Sequence, residues 1–168
     1  LCGEHGRLNK GVPYEGSAKI PFILFYPAKV PAGAVVDEAL SCIDFLPTVL
    51  GLMEVETAGK EQGRDASALL TGKKTAGWHD IAFLRGTGQA NWVCAVTDRY
   101  KLVYSPKDDP WLFDLEEDPD ELTNCFGNAE YRPTVHQLTA ELIEYCKTYG
   151  DANADQAKVK ADMAAAVK

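Results

Sequence analysis

Apolar and polar positions change period three times along the 168 residues, and each change predicts a different element. Residues 1–19 are polar and glycine-rich, a loop. "IPFILFYP" (20–27) follows as an unbroken apolar run bounded by Pro21 and Pro27. Continuous aromatic and branched runs of that length are the signature of a strand buried on both faces, as in an α/β sheet. Pro21 must then sit at the strand's start, since it has no N–H to donate to a ladder. "SCIDFLPTVLGLM" (41–53) switches to helical spacing through Ile43, Leu46, Val49, Leu50 and Met53, with Ser41 and Asp44 as capping residues and Pro47 near the first turn. "DASALL" offers one more helical turn.

Beyond Gly77 the period shortens. "DIAFLRG", "NWVCAVTD", "YKLVYS" and "WLFDL" are short β-rich runs separated by turns, predicting an antiparallel meander of about four strands. "EEDPDELTN" is an acidic turn without the ligand spacing of an EF-hand. From Pro133 to Tyr149, Val135, Leu138, Leu142, Cys146 and Tyr149 share a helical face that Gly150 closes. A helix laid on such a sheet is an α+β arrangement. The fold class expected is therefore α/β over residues 1–76, followed by a small α+β sub-domain over 77–150. Residues 151–168, with a weak apolar stripe, are expected to be a peripheral tail.

Composition narrows the function. Hydrophobic content of 46% and charged content of 25% are those of a globular chain. The formal net charge of −8 and the lack of a basic run disfavour nucleic acid, whose binding needs phosphates neutralised by Lys and Arg. An anionic ligand would have to be held by a few local cations, and the first ten residues supply His5, Arg7 and Lys10. No run is long enough to span a membrane, and no signal peptide is visible, which leaves the compartment open. Five cysteines without CxxC or nearby histidine argue against zinc, and Cys42, Cys94 and Cys146 read as small core residues.

The chemistry of the first loop is the most specific feature. Lys10, between Asn9 and Gly11, is expected to meet the end of a parallel sheet, where α/β folds bind ligands. Its ammonium suits the grip of a tetrahedral oxyanion, although a solvated surface lysine fits the residue type equally well. His5 would protonate a leaving oxygen, hydrogen-bond a substrate, or simply hold the loop together. Arg7 is either a salt-bridge partner or a ligand contact. Glu15 and Lys19, four apart, would pair if a helical turn forms. His79 and His136 have no partner nearby in sequence, and no phosphate loop, GxSxG or HExxH occurs.

"GEHGRLNKGVPYEGSAKIPFILFYP" (3–27) closely resembles a segment of the sulfatase family, within the alkaline-phosphatase-like superfamily. The likeness continues through "VVDEALSCIDFLPTVLGL", "GRDASALLTG", "VTDRYKLVYSP" and "PWLFDLEEDPDELTN", in order, over about residues 1–145. The resemblance implies hydrolysis of a sulfate ester. In that family a Cys or Ser converted to formylglycine attacks sulfur, calcium steadies the sulfate oxygens, and a lysine matching Lys10 binds the sulfate. His5 and Arg7 would line the same loop as substrate contacts. Lys19 stands where the family usually carries Arg. The formylglycine motif is found nowhere in the chain, none of the five cysteines being followed by Pro two places on, and the calcium-binding aspartates are absent. The expectation is the C-terminal portion of a sulfatase, inactive alone, with formylglycine, calcium and the N-terminal part of the catalytic domain supplied upstream. A phosphate- or phosphonate-ester hydrolase of the same superfamily is the first alternative. A non-enzymatic packing module that self-associates through an exposed edge at 20–27 is the second.

Overall fold

The computed structural model describes residues 1–56, 59, 61–72, 77–88 and 90–168. The boundary expected at 76/77 falls beside residues 73–76, which lie outside the described residues. The chain divides into two units: Leu1–Ile20 together with Phe83–Lys168, and Pro21–Ala82.

In the first unit, a short helix α1 (Glu15–Ala18) precedes Ile20. Beyond Pro21–Ala82 comes the meander β1 (Ala82–Arg85), β2 (Val93–Val96), β3 (Tyr100–Tyr104) and β4 (Trp111–Asp114), which lie side by side in chain order. β2 and β3 pair antiparallel with Cys94 opposite Val103, and β3 and β4 with Leu102 opposite Leu112. All four strands expected from the sequence are present. Helix α4 (Arg132–Tyr149) lies against β2 and β3, burying Val135, Leu138, Leu142 and Cys146. Its boundaries follow from local chemistry. Pro133 occupies the first turn, where no N–H is needed, and Gly150 adopts φ 64°, ψ 45°, the left-handed closure glycine permits. Tyr149 is exposed rather than part of the buried stripe. Inside, the Tyr104 hydroxyl and Thr139 Oγ1 are 2.6 Å apart, and Thr139 in turn donates to the Val135 carbonyl at 2.6 Å. Burial pushes the Tyr104 pKa to about 12 and the Cys94 thiol likewise to about 12.

The last helix, α5 (Ala157–Ala166), departs from the expected peripheral tail. Val159 and Met163 are buried, and the helix packs on β3 and α4. Two well-placed apolar residues four apart suffice to dock a helix whose other positions are Ala and Lys, although they make a faint stripe in sequence.

The second unit holds α2 (Phe45–Leu52) and α3 (Ser67–Leu70). Ser41 and Asp44 form the expected capping box, and Pro47 sits in the first turn. Asp44 is buried and accepts from the Arg64 backbone at 2.7 Å. The Arg64 guanidinium donates to the carbonyls of His79 (2.5 Å) and Ile81 (2.8 Å) and lies 4.1 Å from the Trp78 ring centre. Cys42 is exposed, unlike Cys94 and Cys146, because it lies in the turn ahead of α2 rather than on the buried side.

The run 20–27 is not a strand. It has no ladder partner, and Ile23 and Phe25 are 91% and 89% exposed. A strand buried on both faces exists only when neighbours pair with it and cover it. Among the described residues no strand pairs with it, so the parallel sheet expected beside Lys10 and the edge expected to drive self-association are both absent there.

Candidate functional site

The loop carrying His5, Arg7 and Lys10 is a tight hairpin rather than frayed chain. Cys2 and Leu8 pair across it, the Gly3 N–H donates to the Arg7 carbonyl at 3.0 Å, and the Asn9 N–H donates to the Leu1 carbonyl at 3.1 Å. Its tip is the 3₁₀ turn Glu4–Gly6. There His5 takes φ 53°, ψ 24°, a left-handed conformation that non-glycine residues adopt at a cost. Asn9, directly before Lys10, is left-handed too, at φ 69°.

Each predicted site residue lies on this hairpin. The His5 imidazole stacks on Tyr14 with ring centres 3.7 Å apart and planes within 4°, and Tyr14 stacks on Trp111 of β4 at 5.1 Å. Burial in that pile raises the Tyr14 pKa, against the lowering effect of nearby Arg7. Arg7 and Lys10 are exposed, and among the described residues neither forms an ion pair. The hairpin thus carries two exposed cations and an imidazole whose ring orientation is fixed by stacking. That arrangement can hold a small anion and hydrogen-bond the group attached to it.

What holds the hairpin's following segment against the meander is a buried charge cluster that sequence reasoning missed. Lys101, in the middle of β3 and only 1% exposed, puts its ammonium 2.5 Å from Glu15 Oε1 and 2.7 Å from Glu121 Oε1. Glu121 Oε2 accepts the Glu15 backbone N–H at 2.6 Å, so the two acidic residues are locked together as well. Glu121 is 3% exposed and itself left-handed, at φ 54°. Glu15 makes the expected i,i+4 pair with Lys19 at 3.3 Å, but its stronger partner is Lys101, 86 residues away. A sequence signal did exist: "YKLVY" places a lysine among otherwise buried strand positions, and such a lysine must find carboxylates. A second anchor is the Trp92 indole, which donates to the Gly11 carbonyl at 2.8 Å.

Away from the hairpin, Asp114 at the end of β4 receives Arg99 in two parallel bonds (2.9 and 2.8 Å) and the Tyr131 hydroxyl at 3.1 Å. Burial pushes its pKa up, but the bonds from Arg99, the Glu117 backbone and Tyr131 outweigh it and hold the carboxyl below the usual range. This cluster braces the meander's turns. Among the described residues no group of three or more His, Cys, Asp or Glu side chains could hold a metal ion. The donors present there therefore do not fit calcium. No helix among them is long and apolar enough to cross a membrane.

Comparison with known proteins supplies the context. The family model described as N-sulphoglucosamine sulphohydrolase, C-terminal, matches residues 3–148. An arylsulfatase of Clostridium perfringens is 31% identical over 150 residues, covering 86% of this chain and 31% of the relative. An N-acetylglucosamine-6-O-sulfatase of Bacteroides thetaiotaomicron is 31% identical over 167 residues, covering 93% and 30% respectively. A solved structure in complex with its substrate D-glucosamine-2-N,6-O-disulfate superimposes with a TM-score of 0.75 at 29% identity, covering 94% of this chain and 34% of that one. The chain spans about a third of the length of these relatives.

Proposed function

The chain belongs to the sulfatase family, of which it represents the C-terminal portion, and we propose that in the complete enzyme it forms one wall of a sulfate-ester pocket with Lys10 gripping the sulfate. The observation that carries this reading is an exposed lysine, without an ion pair among the described residues, on a hairpin anchored from both sides and within the stretch matched by the family model. An ammonium fixed near the ester stabilises negative charge on the sulfate oxygens as the ester bond breaks, and it does so best where the backbone beneath it cannot shift. His5, oriented by Tyr14, hydrogen-bonds the substrate or returns a proton to the leaving oxygen. Arg7 adds a second positive charge at the same loop.

Members of the family commonly use a formylglycine nucleophile and a metal. The 168 residues contain no formylglycine motif and the described residues no fitting metal cluster, so attack on sulfur is assigned to other parts of the complete enzyme. The same parts would cover Ile23 and Phe25, large apolar side chains left almost fully exposed. Two of the relatives carry glucosamine sulfates in their names, which makes a sulfated amino sugar the first natural substrate to assay beside an aryl sulfate.

The test is Lys10→Ala in the complete enzyme. A drop in kcat/KM on an aryl sulfate of about 100-fold or more is expected, the usual scale for one preorganised charge-stabilising donor. Inhibition by inorganic sulfate should weaken in parallel. Unchanged kinetics would overturn the assignment, as would turnover by the 168 residues alone.

A further inference from the structure

We propose that Trp92 is a positioning residue for Lys10, acting as a strut that is itself braced by the segment Asp151–Gln156. The proposal rests on the reading of Lys10 as the sulfate-binding residue.

Lys10 is held one residue to either side. Before it, Asn9 exchanges backbone bonds with Leu1, and after it the Gly11 carbonyl accepts the Trp92 indole N–H at 2.8 Å, across 81 residues of sequence. Gly11 sits at φ 112°, a conformation other residues rarely adopt, so its carbonyl needs an external partner to stay aimed at one place. An indole suits that task. It has a single donor, no acceptor, and a rigid ring with two side-chain torsions.

Trp92 is fixed in its turn. Its carbonyl accepts the Gly86 N–H at 2.8 Å, and Asn153 Nδ2 donates to the carbonyls of both Gly86 (2.9 Å) and Trp92 (3.3 Å). Gln156 Nε2 donates to the neighbouring Asn91 carbonyl at 3.0 Å. The indole lies directly over Gly86: a Cβ there would come within 2.9 Å of Trp92 Nε1. Glycine at 86 thus makes room for the strut. Asn153 and Gln156 lie beyond residue 148, outside the stretch the family model matches.

The Trp92–Gly11 bond is solvent-exposed, so it contributes little to global stability, and its value lies in fixing the peptide next to a cation. A lysine stem has four rotatable bonds, and an ammonium at its end can be aimed reproducibly only if its backbone origin is fixed.

The experiment is Trp92→Phe in the complete enzyme, which keeps an aromatic side chain but loses the pyrrole half of the indole and with it the N–H. About a tenfold fall in kcat/KM on an aryl sulfate is expected, mirrored by a weaker inhibition constant for inorganic sulfate, with the thermal midpoint unchanged. Asn153→Ala should act in the same direction and less strongly. In a Lys10→Ala background, Trp92→Phe should cost less than about twofold, because the strut acts only through the lysine. An equal fall in both backgrounds would overturn the proposal, as would no fall in the wild-type background while Lys10→Ala is severe. If Lys10→Ala is itself silent, the sulfate assignment fails and takes this proposal with it.

Discussion

Replacing Lys101 with Met should show how firmly the hairpin segment depends on one buried ammonium. The methionine fills similar space but leaves the Glu121 carboxylate without its cation and Glu15 with only the exposed Lys19. Glu121 is 3% exposed and cannot recover its hydration, while Glu15 is partly open to solvent. Removing one partner of a buried ion pair costs about 3–5 kcal/mol, because the orphaned charge stays desolvated. For a chain of this size that corresponds to a fall of roughly 6–20 °C in melting temperature. The loss should be local as well. Hydrogen exchange should accelerate at residues 12–19, whose attachment runs through Glu15, before it does in α4. A second variant separates charge from packing. Lys101→Met with Glu121→Gln removes the orphaned buried charge while keeping an acceptor for the Glu15 N–H, and should recover at least half of the lost stability. Chemical denaturation of the three proteins at pH 7 decides the matter. A single-variant loss under about 1 kcal/mol, or a double variant no better than the single, would refute the reasoning.

Two further outcomes follow from other clusters. Because the folded pKa of Asp114 lies below its ordinary 3.8, its contribution to stability is present above that value and lost as pH falls through the depressed pKa. Thermal midpoints measured between pH 2 and 5 should therefore drop less steeply in Asp114→Asn than in the wild type, and parallel curves would contradict this. Gly63→Ala would drive a Cβ into the Ile43 carbonyl oxygen, backbone that cannot swing aside. A cost of about 3 kcal/mol is expected from denaturation of the Pro21–Ala82 unit, and a loss below about 1 kcal/mol would mean that the turn beside Asp44 is softer than its bonds suggest.

The meander, α2 with its capping box, α4 and its glycine closure were legible because each is governed by neighbours in sequence. Alternation, 3.6-residue spacing and turn chemistry act over a few residues. The run 20–27 was misread for the opposite reason. Its apolar character is a statement about what should cover it, and a strand forms only if the partner strands are there to pair. Val159 and Met163 show the reverse case, a faint stripe that becomes a buried contact because β3 and α4 offer a surface of the right shape.

By itself the sequence determined the family, the meander with α2 and α4, and the candidate residues at 5, 7 and 10, since local pattern and motif spacing survive without coordinates. Only the tertiary structure decided that His5 stacks on Tyr14, that Lys101 draws together Glu15 and Glu121, and that Trp92 reaches Gly11. These contacts join residues as many as 106 apart, as between Glu15 and Glu121. Loop closure over such separations is favourable only once the sheet has formed, so no local pattern encodes them.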